Sequence, residues 1–205
     1  MTTVFAGLSA IIESDIKKIV ALSTLSQLGL IITCLGLQHR SLAFAHIILH
    51  ATFKALLFLS VGIMIHSVYG SQSFRKIGTL VSSSWLVGCS FLISSLSLCG
   101  FVFMSGWCTK ESLLSAFYSS DSPYFLLISF YFGFFLTLAY RFRLVYYRAR
   151  VYKSHVASSS YSAINFFRKL PLFILCLLSV VQGSILLPVF SLSCEVLSSW
   201  VVYFY

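Results

Sequence analysis

His46, His50 and Lys54 recur at every fourth position inside an apolar run that extends to about His66. On a helix this i, i+4, i+8 spacing places the three side chains in one stripe along a single face. At ~1.5 Å of rise per residue the stripe is about 12 Å long. The permanently charged residues nearest to Lys54 in sequence are Arg40 and Arg75, so its stem cannot easily carry the ammonium to water at either helix end. An ionisable group at such a depth costs several kcal/mol or more, and it ordinarily faces other protein or an internal water channel. A buried stripe of two imidazoles and an amine has the chemistry of a proton or ion route. Histidine titrates near neutral pH and exchanges protons through two ring nitrogens.

Other readings of the same residues are weaker or remain open. A helical H-x-x-x-H can supply two metal ligands, but no Glu accompanies it and no third ligand is evident, so no metal site is expected. His46 taken alone could equally be a hydrogen-bonded helix-packing group. Packing by itself rarely justifies a lysine at mid-membrane.

The elements that must position the stripe are transmembrane helices. Hydrophobic residues make up 59% of the 205 and charged residues 9%, against roughly 25% charged in a soluble domain; mean hydropathy is +0.95. Long apolar stretches without period-2 alternation argue for a helix bundle rather than a barrel. The expected fold is an all-α, polytopic transmembrane bundle of about five to six spans. It includes a truncated first helix and one interrupted helix. The six cysteines are scattered singly and read as small packing residues. No cleavable signal peptide is visible.

Residues 1–13 are apolar but would form only ~20 Å of helix against ~30 Å of hydrocarbon, and read as the end of a helix whose beginning is missing. Asp15, Lys17 and Lys18 form a polar turn, 19–38 is a span, and 41–69 is the helix of the stripe. Gly70 to Gly78 is a polar loop. The run 79–118 is too long for one simple span and carries Gly100, Gly106, Lys110 and Glu111. It reads as a helix interrupted near mid-depth, or as a helix ending at Met104 followed by a re-entrant piece. Asp121-Ser122-Pro123 makes a turn, and 124–140 is an aromatic-rich span. That span runs into a basic aromatic stretch, Arg141 to Arg150, suited to the membrane–water interface. Attachment to a spanning helix makes lipid headgroups its partner in preference to nucleic acid. A Ser-rich loop (154–162), a span at 171–190 unsettled by Pro188, and a short apolar tail complete the chain.

With 79–118 counted as one crossing, Lys17, Lys18, Arg75, Lys76 and every basic residue from Arg141 to Lys169 fall on one side. Only Arg40 falls opposite, and Lys54 and Lys110 lie within the membrane. By the positive-inside rule the crowded side is the cytoplasm or the mitochondrial matrix.

The run Asp15 to Gly29 (DIKKIVALSTLSQLG), the His46–Lys54 stripe with Ala55-Leu56-Leu57-Phe58, the segment Gly106-Trp107-Cys108-Thr109-Lys110-Glu111 and the Arg-rich exit of the 124–140 helix together resemble one family. It is that of the distal, antiporter-like chain 5 subunits of respiratory complex I, the proton-pumping NADH:ubiquinone oxidoreductase. The resemblance covers nearly all of residues 1–190. It implies a proton-translocating half-channel, in which Lys54 is the central lysine, His46 and His50 its relay histidines, Lys110 the lysine near the exit and Glu111 the acidic residue beside it. It also implies a subunit of an enzyme complex with no redox centre or cofactor in this chain, in which proton movement follows the charges of neighbouring subunits. Residues 1–153 would form the second of two inverted repeats, shortened at its first helix. Residues 154–205 would add the loop, one further span and the tail. The implied location is the mitochondrial inner membrane, the alternative being a bacterial plasma membrane.

Cys108 departs from the family's aromatic pair, and Gly100 is followed by Phe101-Val102 where the family has Pro. The interruption must then rest on the glycines or be weaker. The first repeat and the long transverse helix are absent, so the chain reads as a C-terminal portion. The expected partners are the other membrane-arm subunits, lipid, and a separate chain that supplies the missing repeat against Met1–Ile12. Two other functions share these residues: a subunit of a multisubunit sodium/proton antiporter, and a non-conducting structural remnant.

Overall fold

A computed structural model describes residues 1–67, 72–73, 85–101, 104–119, 124–150 and 170–182. The expected loop around Arg75 and Lys76, the Asp121–Pro123 turn, the Ser-rich loop, Pro188 and the apolar tail lie outside the described residues. The described chain is helical: α1 (Thr2–Ile12), α2 (Ile16–Gly36), α3 (Arg40–Ser67), α4 (Trp85–Cys99), α5 (Ser105–Ser119), α6 (Tyr124–Arg150) and α7 (Leu170–Gln182). Three segments are individually long and apolar enough to cross a bilayer: Ile16–Gly36, Arg40–His66 and Tyr124–Tyr147. The protein is an all-α integral membrane bundle.

Small residues set the first contact. Ala6, Gly7 and Ala10 bury one face of α1, which lets its backbone approach α2 and α6 closely. Phe5, Leu8 and Ile12 point outward. Between α1 and α2, Lys18 lies 3.8 Å from Glu13 and 3.5 Å from Asp15. These exposed ion pairs contribute little to stability. The Ile16 amide donates to the Gln72 carbonyl (3.2 Å), and Asp15 pairs with Ser73 in an isolated bridge. Lys17 and Lys18, expected in a turn, lie in the first turn of α2, and this end of α2 meets Gln72 and Ser73 after α3.

The interruption in the 79–118 run is real, and glycine makes it. Helix α4 stops at Cys99 because Gly100 adopts φ +73°, a left-handed conformation that costs other L-residues roughly 1–2 kcal/mol. The Phe101 amide then donates to Leu96 O and the Gly100 amide to Ser97 O, both at 3.1 Å. This is the paired-bond pattern of a Schellman terminus. No proline is required. The break falls at Gly100, ahead of the alternative boundary at Met104, and α5 resumes at Ser105. Gly106 then passes so close to α4 that a Cβ there would overlap the Ser97 carbonyl oxygen.

Two apolar clusters pack the helices together. One joins Ile16, Ile19 and Val20 of α2 to Leu56, Leu57 and Val61 of α3 and Leu144 of α6. The other joins Leu30, Ile31 and Cys34 of α2 to Leu42 and Ala43 of α3, Leu113 and Phe117 of α5, and Phe130 of α6. On α2 the buried Ser23, Ser26 and Gln27 fall between the two clusters; on α3 and α6 the polar side chains interleave with the first, which also includes Leu49, Phe53 and Tyr140. A band of buried polar groups thus runs through the apolar packing.

Candidate functional site

The band is built on α3. His46, His50 and Lys54 are all buried, Lys54 to 4% residual exposure. The two imidazoles stack with centroids 6.1 Å apart, and Phe53 packs edge-on against His50 at 5.4 Å. The helical phase expected from the sequence is the phase observed.

At one end of the stripe, His46 Nδ1 is 3.0 Å from Thr109 Oγ1 on α5. The same hydroxyl reaches the Gly106 carbonyl at 3.4 Å. It has one proton and two acceptors within reach. When Gly106 takes that proton, the histidine must be the donor, and when the histidine takes it, the tautomer reverses. Thr109 directly precedes Lys110, which is buried and donates from Nζ to the Leu98 carbonyl at 2.6 Å. The Lys110 Nζ also sits 4.8 Å from the Phe134 ring centroid. Leu98 lies in the last turn of α4, so the broken helix offers its C-terminal carbonyls to this ammonium, where the helix dipole favours a cation.

At the other end, Lys54 Nζ donates to Ser23 Oγ (2.5 Å) and to Val20 O (3.3 Å), both on α2. Ser23 Oγ accepts a second bond from Arg141 Nη2 at 3.1 Å and donates its own proton to Val20 O at 2.7 Å. Arg141 is fully buried. This corrects the sequence reading, which places Arg141 with the interfacial basic stretch on the crowded side. Helix α6 continues to Arg150, and Arg141 shares the inward face of Thr137, Tyr140 and Leu144 while Phe142 and Tyr146 face outward. Glu111 does not join the buried line: it is exposed, one residue beyond Lys110.

Several buried polar atoms in or beside the band have no hydrogen-bond partner among the described residues. They include His46 Nε2, His50 Nε2, both amide atoms of Gln27, Ser97 Oγ, and Arg141 Nε and Nη1. Each such atom carries a desolvation cost of about 1–3 kcal/mol unless water or another group meets it, so the band has room in its hydrogen bonding for bridging water. Sequence reasoning missed Ser23 and Gln27 as site residues, although the i, i+3, i+4 spacing of Ser23, Ser26 and Gln27 on an apolar helix was a usable signal. It also passed over the buried serines of α4: Ser90, Ser94, Ser95 and Ser97.

The described helices thus form a membrane bundle with one interrupted helix and with lysines and histidines buried on adjoining helices. Residues 1–137 match the family described as NADH:quinone oxidoreductase/Mrp antiporter, TM, and the chain belongs to that family. It is 38% identical over 186 residues to NADH-ubiquinone oxidoreductase chain 5 of Locusta migratoria, covering 91% of this chain and 32% of that protein. Against the chain 5 protein of Anopheles gambiae it is 41% identical over 189 residues, with the same two coverages. The chain thus spans about a third of the length of the curated relatives it matches. Among solved structures it superposes on a chain of the membrane-bound sulfane sulfur reductase, an archaeal respiratory membrane complex. That match has a TM-score of 0.79 at 23% identity over 95% of this chain and 39% of the other. A chain of the Mrp complex from Dietzia sp. DQ12-45-1b gives 0.70 at 18% identity, covering 91% and 43%. At those identities the likeness is one of fold.

Proposed function

We propose that this chain forms a proton half-channel in the membrane arm of an NADH:ubiquinone oxidoreductase, in the mitochondrial inner membrane, without redox chemistry of its own. The observation that carries this reading is the His46–Thr109 hydrogen bond, which joins the α3 stripe to the helix of Lys110. Through it, Lys54, His50, His46, Thr109 and Lys110 form one buried sequence of exchangeable protons, with bridging water completing the gaps that direct contacts leave. A lysine in such a place is balanced between its charge states by burial and by neighbouring charges. A change of field from an adjacent subunit can therefore load or empty it. Glu111 belongs to the outer surface of α5 near the exit. The rest of the relatives' length, on this polypeptide or a companion, would supply the remainder of the route together with other membrane-arm subunits and lipid. The roles of residues 1–153 as one repeat and of 154–205 as an appended span belong to the same proposal.

The test is Lys54→Ala in the assembled complex, reconstituted in sealed vesicles. Proton uptake and coupled turnover are expected to fall severely while the complex still assembles. Normal pumping by an assembled variant would refute the half-channel. Dependence of the transport on sodium would favour a sodium/proton antiporter instead.

A further inference from the structure

We propose that Ser23 is the positioning residue of the Lys54 site: its hydroxyl, shared by Lys54 and Arg141, fixes the separation of an exchangeable and a permanent cation. This rests on the half-channel reading and extends it to residues that reading does not use. Lys54 comes from α3, Arg141 from α6 and Ser23 from α2, so one oxygen ties three helices together. Its bonding capacity is full. The hydroxyl proton goes to Val20 O, and its two lone pairs take Lys54 Nζ and Arg141 Nη2. Ser23 itself has no exposed surface.

Two buried cations held by one neutral oxygen is an unusual arrangement. Among the described residues the ion pairs are those of Lys18 with Glu13 and Asp15, and no carboxylate bridges Lys54 and Arg141. The titratable and charged groups that interact with this pair are His50 on α3, Lys110 on α5, Cys99 at the end of α4 and Tyr140 on α6. The repulsion between Lys54 and Arg141 depends on their distance and is weakly screened in a buried setting. The hydroxyl sets that distance. Arg141 cannot lose its charge, so it supplies a constant field against which Lys54 takes up and releases its proton. Its unpartnered Nε and Nη1 leave it held in the described bundle by the Ser23 bond and by the Tyr140 ring, 5.4 Å from the guanidinium carbon.

The experiment is a double-mutant cycle on pumping by the assembled complex in sealed vesicles, with NADH oxidation by an artificial acceptor reporting the amount assembled. Ser23→Ala removes only the oxygen, and Arg141→Gln removes the permanent charge. Should Arg141→Gln fail to assemble, Arg141→Lys, which keeps the charge and loses the planar fork, takes its place in the cycle. Ser23→Ala is expected to lower proton uptake per NADH on the order of tenfold, the scale of losing a hydrogen bond to a charged group. The double variant should be no worse than the Arg141 variant alone, because both act through one contact. Full pumping by Ser23→Ala overturns the proposal, as do losses that simply multiply in the double variant. Lys54→Ala is measured in parallel. If it is impaired while Ser23→Ala is not, the proposal fails and the half-channel stands; if Lys54→Ala pumps normally, both fall.

Discussion

Lys54 and Lys110 are both buried lysines without a carboxylate in contact among the described residues, yet the bundle holds them in opposite ways. Lys54 is held chiefly by a side-chain hydroxyl shared with Arg141. Lys110 is held by backbone, the Leu98 carbonyl at the end of a broken helix, and by the face of Phe134. A hydroxyl can rotate, and it can donate or accept. A helix-terminal carbonyl is a fixed acceptor set in place by the main chain. The difference separates a lysine site held by a side chain from one held by the main chain.

The largest effect should come from Gly106→Ala. Its Cβ would collide with the Ser97 backbone carbonyl, which cannot swing aside as a side chain could. Overpacking costs about 1–3 kcal/mol, toward the upper end where backbone must yield. The level of assembled complex on native gels should drop sharply and the midpoint of thermal inactivation should fall. A fully assembled variant of unchanged heat stability would show that α4 and α5 are not locked together at this crossing. Gly100→Ala is the milder version, since it meets a strained φ and the Lys110 Cδ, which is 3.1 Å from the added carbon.

Next in size is the contrast between neighbours. Lys110 is buried against the end of α4 and Glu111 is exposed. Lys110→Ala should therefore impair proton uptake severely, while Glu111→Ala leaves most of it. Comparable severe loss from both substitutions, measured at equal assembly, would mean that the outer carboxylate and the inner amine act as one unit.

The sequence made the stripe legible because a single helix carries it: His46, His50 and Lys54 need only the 3.6-residue period to become neighbours. The interruption was legible as well, through two glycines and a lysine in a run too long for one span, even with proline missing. Arg141 was not. It opens a basic stretch, and basic stretches at helix ends ordinarily mark the interface. Its burial follows from helical phase, which it shares with Thr137 and Leu144 rather than with Phe142 and Tyr146, and from α6 continuing to Arg150. The contacts between helices were also out of reach. His46 with Thr109 and Arg141 with Ser23 join residues 63 and 118 positions apart, and no local pattern encodes such pairs.

The smallest effect concerns the ring that separates the two lysine sites in kind. Phe134 is half-buried on α6, with its centroid 4.8 Å from Lys110 Nζ and its edge 3.6 Å from the position a Cβ would take on Gly100. An ammonium over an aromatic face gains roughly 0.5–2 kcal/mol, more as water is excluded. Leucine fills much of the same volume but has no negative face. Phe134→Leu should therefore leave assembly intact and reduce proton uptake a few-fold, about fivefold for a loss near 1 kcal/mol. Phe134→Tyr keeps the face and should stay close to the parent. If the ring serves only as packing, leucine and tyrosine will behave alike. If it shares the ammonium with Leu98, they will part, and the Lys110 site will prove to rest on a side chain as well, as the Lys54 site rests on Ser23.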